Sequence, residues 1–393
     1  MADRPVILIL VQYFRPAYRA GGAARSISNL VDHLGDEFDF HIVCRDRDLG
    51  DTEPFDLPCG QWTKIGKAQV WYETLNKSSA LTILKLLRSR HWDAVYCNSY
   101  FNPVFSIMPR VFNRLGLAKT KGLIVAPRGE FAQDALKISA SKKQRFLKWA
   151  KRLKIDDGVL FQASVEHEAR DITKQRSNAK SRIRVAADLT PVDELENVTE
   201  ALAKKTRGEL RLVMIARIAP IKNIALAVEA LRGCSAQIRF DLYGPMEAPD
   251  YWKDCQSAIT ELPDNVVVDW HGAIPREQVT KALAQSHVFL MPTFGENFGH
   301  SIFEALAMGL PVLISDQTVW RDLESQKAGA DLPLDDASAF THRIESWAQM
   351  DADEFGLWRE GAMARAADWL ESSPSVEANR ALLLEAAGLS NSP

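Results

Sequence analysis

Apolar residues along the chain gather into short unbroken runs, and between most of these runs they recur at helical spacing. In the first half the runs are Val6–Val11, Phe40–Cys44, Gln69–Tyr72, Ala94–Cys97, Leu123–Ala126, Val159–Phe161 and Ile183–Val185. Helical patterns such as Ala23–Leu34 and Ser78–Leu87 fall between them. This alternation predicts a parallel sheet with covering helices. It breaks at Asp188-Leu189-Thr190-Pro191 and the polar stretch VDELENVTEALAKKTRGE, which marks a domain boundary. The pattern starts afresh with Leu210–Ile215 and continues through Ile238–Leu242, Val266–Val268, Val288–Met291 and Val312–Ile314. The end of the chain, Asp335 to Ala387, reads as three helices. The expected fold is α/β: two Rossmann-like doubly wound domains, at 1–189 and 190–372, followed by a helical segment at 373–393.

Composition narrows the class. With 393 residues, 46% hydrophobic and 25% charged, the chain reads as a soluble globular protein long enough for two cores. Its cysteines, Cys44, Cys59, Cys97, Cys234 and Cys255, are scattered and odd in number, which argues for a reducing compartment and against a disulfide framework. No apolar run approaches the roughly 20 residues that span a bilayer. The opening MADRPVILILVQYFRP reads as a first strand and not as a signal peptide. The expected location is therefore cytoplasmic. The net charge of −3 conceals a division: residues 1–190 hold 31 Lys+Arg against 20 Asp+Glu, and residues 191–393 hold 17 against 31. The basic half suits an anionic surface or acceptor.

Candidate chemistry concentrates in VFLMPTFGENFGHSIFEALAMGLPVLISDQTVWRD, from Val288 to Asp322. Two apolar strands flank a loop and a helix. Glycines at 295 and 299 let the loop backbone approach a ligand and turn sharply into the helix. Ile302, Phe303, Leu306 and Ala307 form the helix's apolar stripe, with Ser301 and Glu304 together on another face. The first turn offers unpaired N–H groups from about Asn297 through Phe298 and Gly299 to Ser301, an anion site by geometry and dipole. Glu304, just past it, is placed to accept from ribose hydroxyls, and Glu296 stands just before it on the loop. Phosphate at the centre, sugar on one side and nucleoside on the other describe a nucleotide-sugar site.

Glu296 and Glu304 have the E-x7-E spacing, and FGENFGHSIFEALAMGLPV resembles the donor-binding signature of the family 4 retaining glycosyltransferases, whose fold is GT-B. The resemblance implies two Rossmann-like domains facing across a cleft, with the last helix, near Glu377 to Ala387, crossing back to the first. It also places Arg217 and Lys222, after the strand Leu210–Ile215, on the donor diphosphate. An Arg fork and a Lys point charge would there neutralise the leaving group. Tyr243-Gly244-Pro245 and His271-Gly272-Ala273-Ile274-Pro275 resemble the family turns that hold base and ribose, although glycine after a strand is also an ordinary turn. His271 reads as part of that turn.

First-domain motifs are more open. Gly21-Gly22, opening a helix after FRPAYRA, reads either as a backbone approach to the donor or as a plain turn. Pro127-Arg128-Gly129-Glu130-Phe131 stands at the carboxyl end of a strand, where open α/β sheets place ligands. Many relatives of the resembled family have a similar Pro-x-Gly turn, some with His where this chain has Arg128, and the cation could hold a phosphate or pair with a neighbouring acid. The acceptor or the donor sugar would then lie near Arg128, Gly129 and Glu130. Residues 137–154, KISASKKQRFLKWAKRLK, carry eight basic and no acidic residues, with Phe146, Trp149, Ala150 and Leu153 on one stripe. The segment reads either as a cationic helix resting on anionic membrane or as a solvated surface helix whose stripe is core. No nucleic-acid recognition motif accompanies it. No metal-ligand spacing appears: Glu166-His167-Glu168 is not a zinc motif.

The expectation is a retaining, metal-independent hexosyltransferase acting in polysaccharide or glycolipid biosynthesis. It would need no cofactor, taking a UDP- or GDP-linked sugar as donor and a glycan or lipid-linked acceptor, at the inner face of the membrane. Glu296 would hold the donor sugar's hydroxyls, Arg217 and Lys222 the leaving diphosphate, and Glu304 the ribose. The alternatives are an epimerase or phosphorylase on the same fold, a glycosidase, or a non-catalytic nucleotide-sugar-binding protein.

Overall fold

The computed structural model describes residues 4–132, 136, 140–176, 182–191 and 202–389. Most of the polar stretch after Pro191, and Lys137 to Ser139 of the basic segment, lie outside the described residues. The chain divides into two compact units, Met1–Val192 with Pro374–Pro393, and Asp193–Ser373.

In the first unit eight strands form one sheet: β1 (Val6–Leu10), β2 (Asp39–Arg45), β3 (Trp62–Ile65), β4 (Ala68–Glu73), β5 (Trp92–Cys97), β6 (Thr120–Val125), β7 (Leu160–Ala163) and β8 (Ile183–Val185). Their order is β3-β4-β2-β1-β5-β6-β7-β8. Each apolar run of the first half lies on one of them. Along β1, Ile7 and Ile9 enter one core cluster while Leu8 enters another, so the sheet is buried on both faces, as parallel sheets are. β3 was not expected from the sequence. It pairs antiparallel with β4, Ile65 opposite Ala68, around a turn at Gly66 with φ 57°, and its mixed residues give no apolar run. The helix Ser375–Ala386 packs on this unit: a Cβ on Gly122 of β6 would lie 2.2 Å from the Ala386 carbonyl oxygen, and Leu382 and Leu383 join the core.

The second unit has β9 (Glu209–Ile215), β10 (Gln237–Tyr243), β11 (Val266–Trp270), β12 (Val288–Met291), β13 (Val312–Ser315) and β14 (Gly329–Leu332). They run parallel in the order β11-β10-β9-β12-β13-β14. β14 gives no apolar signal because Gly329 must be small: a Cβ there would lie 2.1 Å from the Val312 carbonyl oxygen on β13. The chain leaves β9 first toward β10 and β11, then returns to β12 on the other side. This is the doubly wound order, whose crevice opens at the carboxyl ends of β9 and β12. The helices Ala337–Ala348 and Ala352–Ser372 complete the unit.

Candidate active site in the second unit

Two loops meet at the switch point. The one leaving β9 passes Ala216 and Arg217, makes a short turn at Pro220–Lys222, and enters the helix Ile224–Arg232 through Asn223, whose φ of 53° is a left-handed conformation that asparagine tolerates. The one leaving β12 runs from Pro292 to Gly299 and enters the helix His300–Ala307. Backbone and side chain join them: the Phe294 N–H and Thr293 Oγ1 both donate to the Ile221 carbonyl, at 2.8 and 2.9 Å. That stitching sets the Lys222 ammonium directly against the Glu296 carboxylate. Both side chains are largely buried, 11% and 18% exposed. Burial, and next the neighbouring Arg217 cation, draw the Lys222 ammonium down to about 7. The Glu296 carboxylate in contact with it acts the other way, favouring the charged form.

The helix after Glu296 starts at a forced turn. Gly299 has φ 79°, and a Cβ on it would meet Ile302 Cδ1 at 2.8 Å. Phe298 is core: its ring packs on Phe303, Trp320 and Trp369, and its carbonyl accepts from Trp320 Nε1 at 2.7 Å. Phe298 and Gly299 therefore have only backbone to offer a ligand, together with the amides opening the helix. Ser301 is half-buried, whereas Glu304 is buried, so the two do not share an open face as the helical spacing suggested. The rest of the helix is enclosed on every side, and Glu304 Oε1 accepts from Arg276 Nη1 at 3.2 Å.

Arg217 lies half-exposed with its guanidinium on the Glu247 carboxylate. Glu247 belongs to the loop after β10, which is pinned to the same backbone: Ile218 N–H donates to the Pro245 carbonyl at 2.9 Å, and Ala248 N–H to the Ile218 carbonyl at 3.0 Å. Gly244 permits the approach, since a Cβ there would lie 1.8 Å from the Ala216 carbonyl oxygen. The Gly244 N–H donates to the Gly272 carbonyl at 2.8 Å, and the Gly244 carbonyl accepts from Trp270 Nε1 at 3.0 Å. The His271 ring stacks on Tyr243 and meets Asp241 at 2.6 Å, so it belongs to the turn, while Ile274 packs half-buried on the core. Glu247 and Arg276 were absent from the sequence reading. Nothing in their own spacing marks them, because the sheet order alone brings their loops to Arg217 and Glu304.

In the first unit Gly21, with φ 70°, precedes the helix that Gly22 opens. The preceding loop is held by Asp48, whose carboxylate accepts from the Tyr18 and Arg19 N–H groups at 2.8 and 3.1 Å. Arg128 takes the second of its two readings. Its guanidinium is buried against the Asp188 carboxylate and also donates to Asn98 Oδ1 and the Tyr96 hydroxyl, both at 2.7 Å. Burial acts against the charge, but Asp188 and its neighbours outweigh it and raise the pKa. The Gly129 N–H donates to Glu168 at 2.6 Å. The Glu130 carboxylate accepts from Ser99 Oγ at 2.9 Å and from the Phe101 N–H at 3.2 Å. Burial pushes Glu130 up, and its contacts are those of a loop anchor. The basic helix Ala140–Arg152 turns Phe146, Leu147 and Ala150 inward, whereas Trp149 and Leu153, expected on the same stripe, are 42% and 46% exposed. Among the described residues no cluster of three metal-ligating side chains could hold an ion, and no helix is long and apolar enough to cross a membrane.

Comparisons with known proteins fit this geometry. The protein named WcaL of Escherichia coli (strain K12), by name a colanic acid biosynthesis glycosyltransferase, is 28% identical over 157 residues. The amylovoran biosynthesis glycosyltransferase AmsK of Erwinia amylovora is likewise 28% identical over 157 residues. The chain spans only 37% of the length of either relative. Among solved structures, HepE of Anabaena in complex with UDP and glucose superposes with a TM-score of 0.65 at 16% identity, covering 96% of this chain and 98% of that one. Likeness at that identity speaks to fold: the chain has the GT-B fold, and its residues 209–349, which hold both loops of the switch point, match the family model described as glycosyl transferases group 1.

Proposed function

We propose that the protein is a retaining, metal-independent glycosyltransferase that moves a hexosyl group from a UDP- or GDP-linked donor to a hydroxyl of a glycan or lipid-linked acceptor. The observation that carries this reading is the Lys222–Glu296 contact across the β9/β12 crevice, beside a helix N-terminus. A cation, an anion-seeking backbone and a carboxylate stand there within one small space. In the proposed reaction the diphosphate takes Lys222, Arg217 and the amides near Gly299, which neutralise the charge that grows as the anomeric C–O bond breaks. Glu296, released from Lys222, accepts from the sugar's hydroxyls. The acceptor oxygen attacks from the face the leaving group occupies, and its proton passes to the departing phosphate oxygen, so configuration is kept. Glu304, oriented by Arg276, meets the ribose. The names of WcaL and AmsK support a place in polysaccharide biosynthesis.

The test is incubation with a panel of nucleotide sugars and cell-derived acceptors in the presence of a chelator, with products followed by mass spectrometry and anomeric NMR couplings. Transfer with retained configuration is expected, together with a loss of roughly 10- to 150-fold in turnover for Lys222→Ala, the scale of one charge-assisted hydrogen bond of about 1.5–3 kcal/mol. Inverted product, release of free sugar in place of transfer, or full activity of Lys222→Ala would overturn the reading.

A further inference from the structure

Both cations of the crevice are already occupied by carboxylates of the same chain. Glu296 sits on Lys222, and Glu247 sits on Arg217. Glu296 has a task in the reaction and Glu247 has none. Yet Glu247 is not a drifting surface acid: the bridge between Ile218 and Met246, with the hydrogen bonds that flank it, fixes its backbone beside the residue that follows Arg217. Its pull on the Lys222 ammonium favours the charged form, so removing it carries a small opposing loss through Lys222 whether or not Arg217 is present. A carboxylate and a phosphate oxygen present the same acceptor geometry to a guanidinium fork. The Arg217–Glu247 pair is half-exposed, which keeps it weak enough to be exchanged.

We infer that Glu247 is an internal competitor of the donor diphosphate: it holds Arg217 while the crevice is empty, yields it when a nucleoside diphosphate enters, and reclaims it as the product leaves. The inference rests on the nucleoside-diphosphate reading of the site and adds a residue that sets affinity for the diphosphate alone. Because the competition is for one guanidinium, removing the carboxylate strengthens phosphate-dependent binding only while Arg217 is present.

The experiment is calorimetric titration of the full chain with UDP, GDP and ADP, and with the matching nucleosides, using the wild type, Glu247→Gln, Arg217→Ala and the double variant, with thermal unfolding to confirm that each is folded. Glu247→Gln is expected to tighten the diphosphate that the wild type prefers by about 2- to 5-fold, the span a half-exposed ion pair permits, and to leave its nucleoside unchanged. In the Arg217→Ala background the gain disappears. An equal gain without Arg217 would reduce Glu247 to a general negative charge and overturn the inference. So would unchanged or weaker binding by a folded Glu247→Gln. If none of the diphosphates binds the wild type, the reading of the site itself fails and the inference falls with it.

Discussion

Lys222 is a cation held where a cation is costly. Enclosure and the adjacent Arg217 disfavour its proton, the Glu247 carboxylate opposes them, and the balance leaves a group that titrates far below an ordinary lysine. A folded-state pKa lowered to about 7 means that the ammonium is present below that value and lost above it. Binding of a diphosphate needs the charged form, so affinity for a nucleoside diphosphate should fall as pH climbs from about 6 to about 9, with a midpoint at or above 7. Lys222→Arg, which stays protonated throughout this range, should flatten the profile. Titrations at several pH values check both, and a wild-type profile as flat as that of the variant would remove the lysine's protonation from the binding step.

The helix Ala140–Arg152 shows what a single element can be asked to do. Phe146 and Ala150 secure it to the first unit, which leaves Trp149 and Leu153 outward among exposed Lys148, Lys151, Arg152 and Lys154. An indole and a leucine amid lysines are the side chains an interfacial helix places at the headgroup boundary. The full chain should therefore sediment with vesicles containing anionic lipid and not with neutral ones, and Trp149→Ala with Leu153→Ala should weaken that binding several-fold; equal sedimentation with both lipids would refute membrane contact. The same helix marks the reach of sequence reading. Its period and charge are legible from residue spacing, but which flank faces inward depends on Tyr100 and Phe101, which pack on Phe146 from a distant loop. Strands buried on both faces, such as β1 and β12, announce themselves by apolar runs, whereas β3 and β14 depend on a neighbour and do not. In the crevice, the loop glycines, the cations and the glutamates carry local signals. Their partners Glu247 and Arg276 carry none, nor does Asp188 as the partner of Arg128 in the first unit, because a salt bridge between loops is a property of sheet order.

At the scale of the molecule, the first unit is discontinuous in sequence. Its last helix contributes Leu382 and Leu383 to the core, and Asn379 meets Gln162 of β7 at 3.1 Å. At the surface, Arg380 is paired with Glu37 and Arg184 with Glu385. Removing residues 374–393 should strip that cover and cost the first unit several kcal/mol, a large part of the roughly 5–15 kcal/mol that holds a domain. Calorimetry of the truncated chain should show the transition of the second unit persisting while that of the first is lost or displaced to low temperature; two unchanged transitions would count against the helix as a structural member. The discontinuity also bears on synthesis. The ribosome delivers β1 to β8 long before Ser375, so β6 must wait for its lid with Gly122 bare while the contiguous second unit is made and can close by itself. A chaperone or a slow translation site would have most to guard in that interval, because the amino-terminal unit lacks part of its core until Ser375–Ala386 has been made.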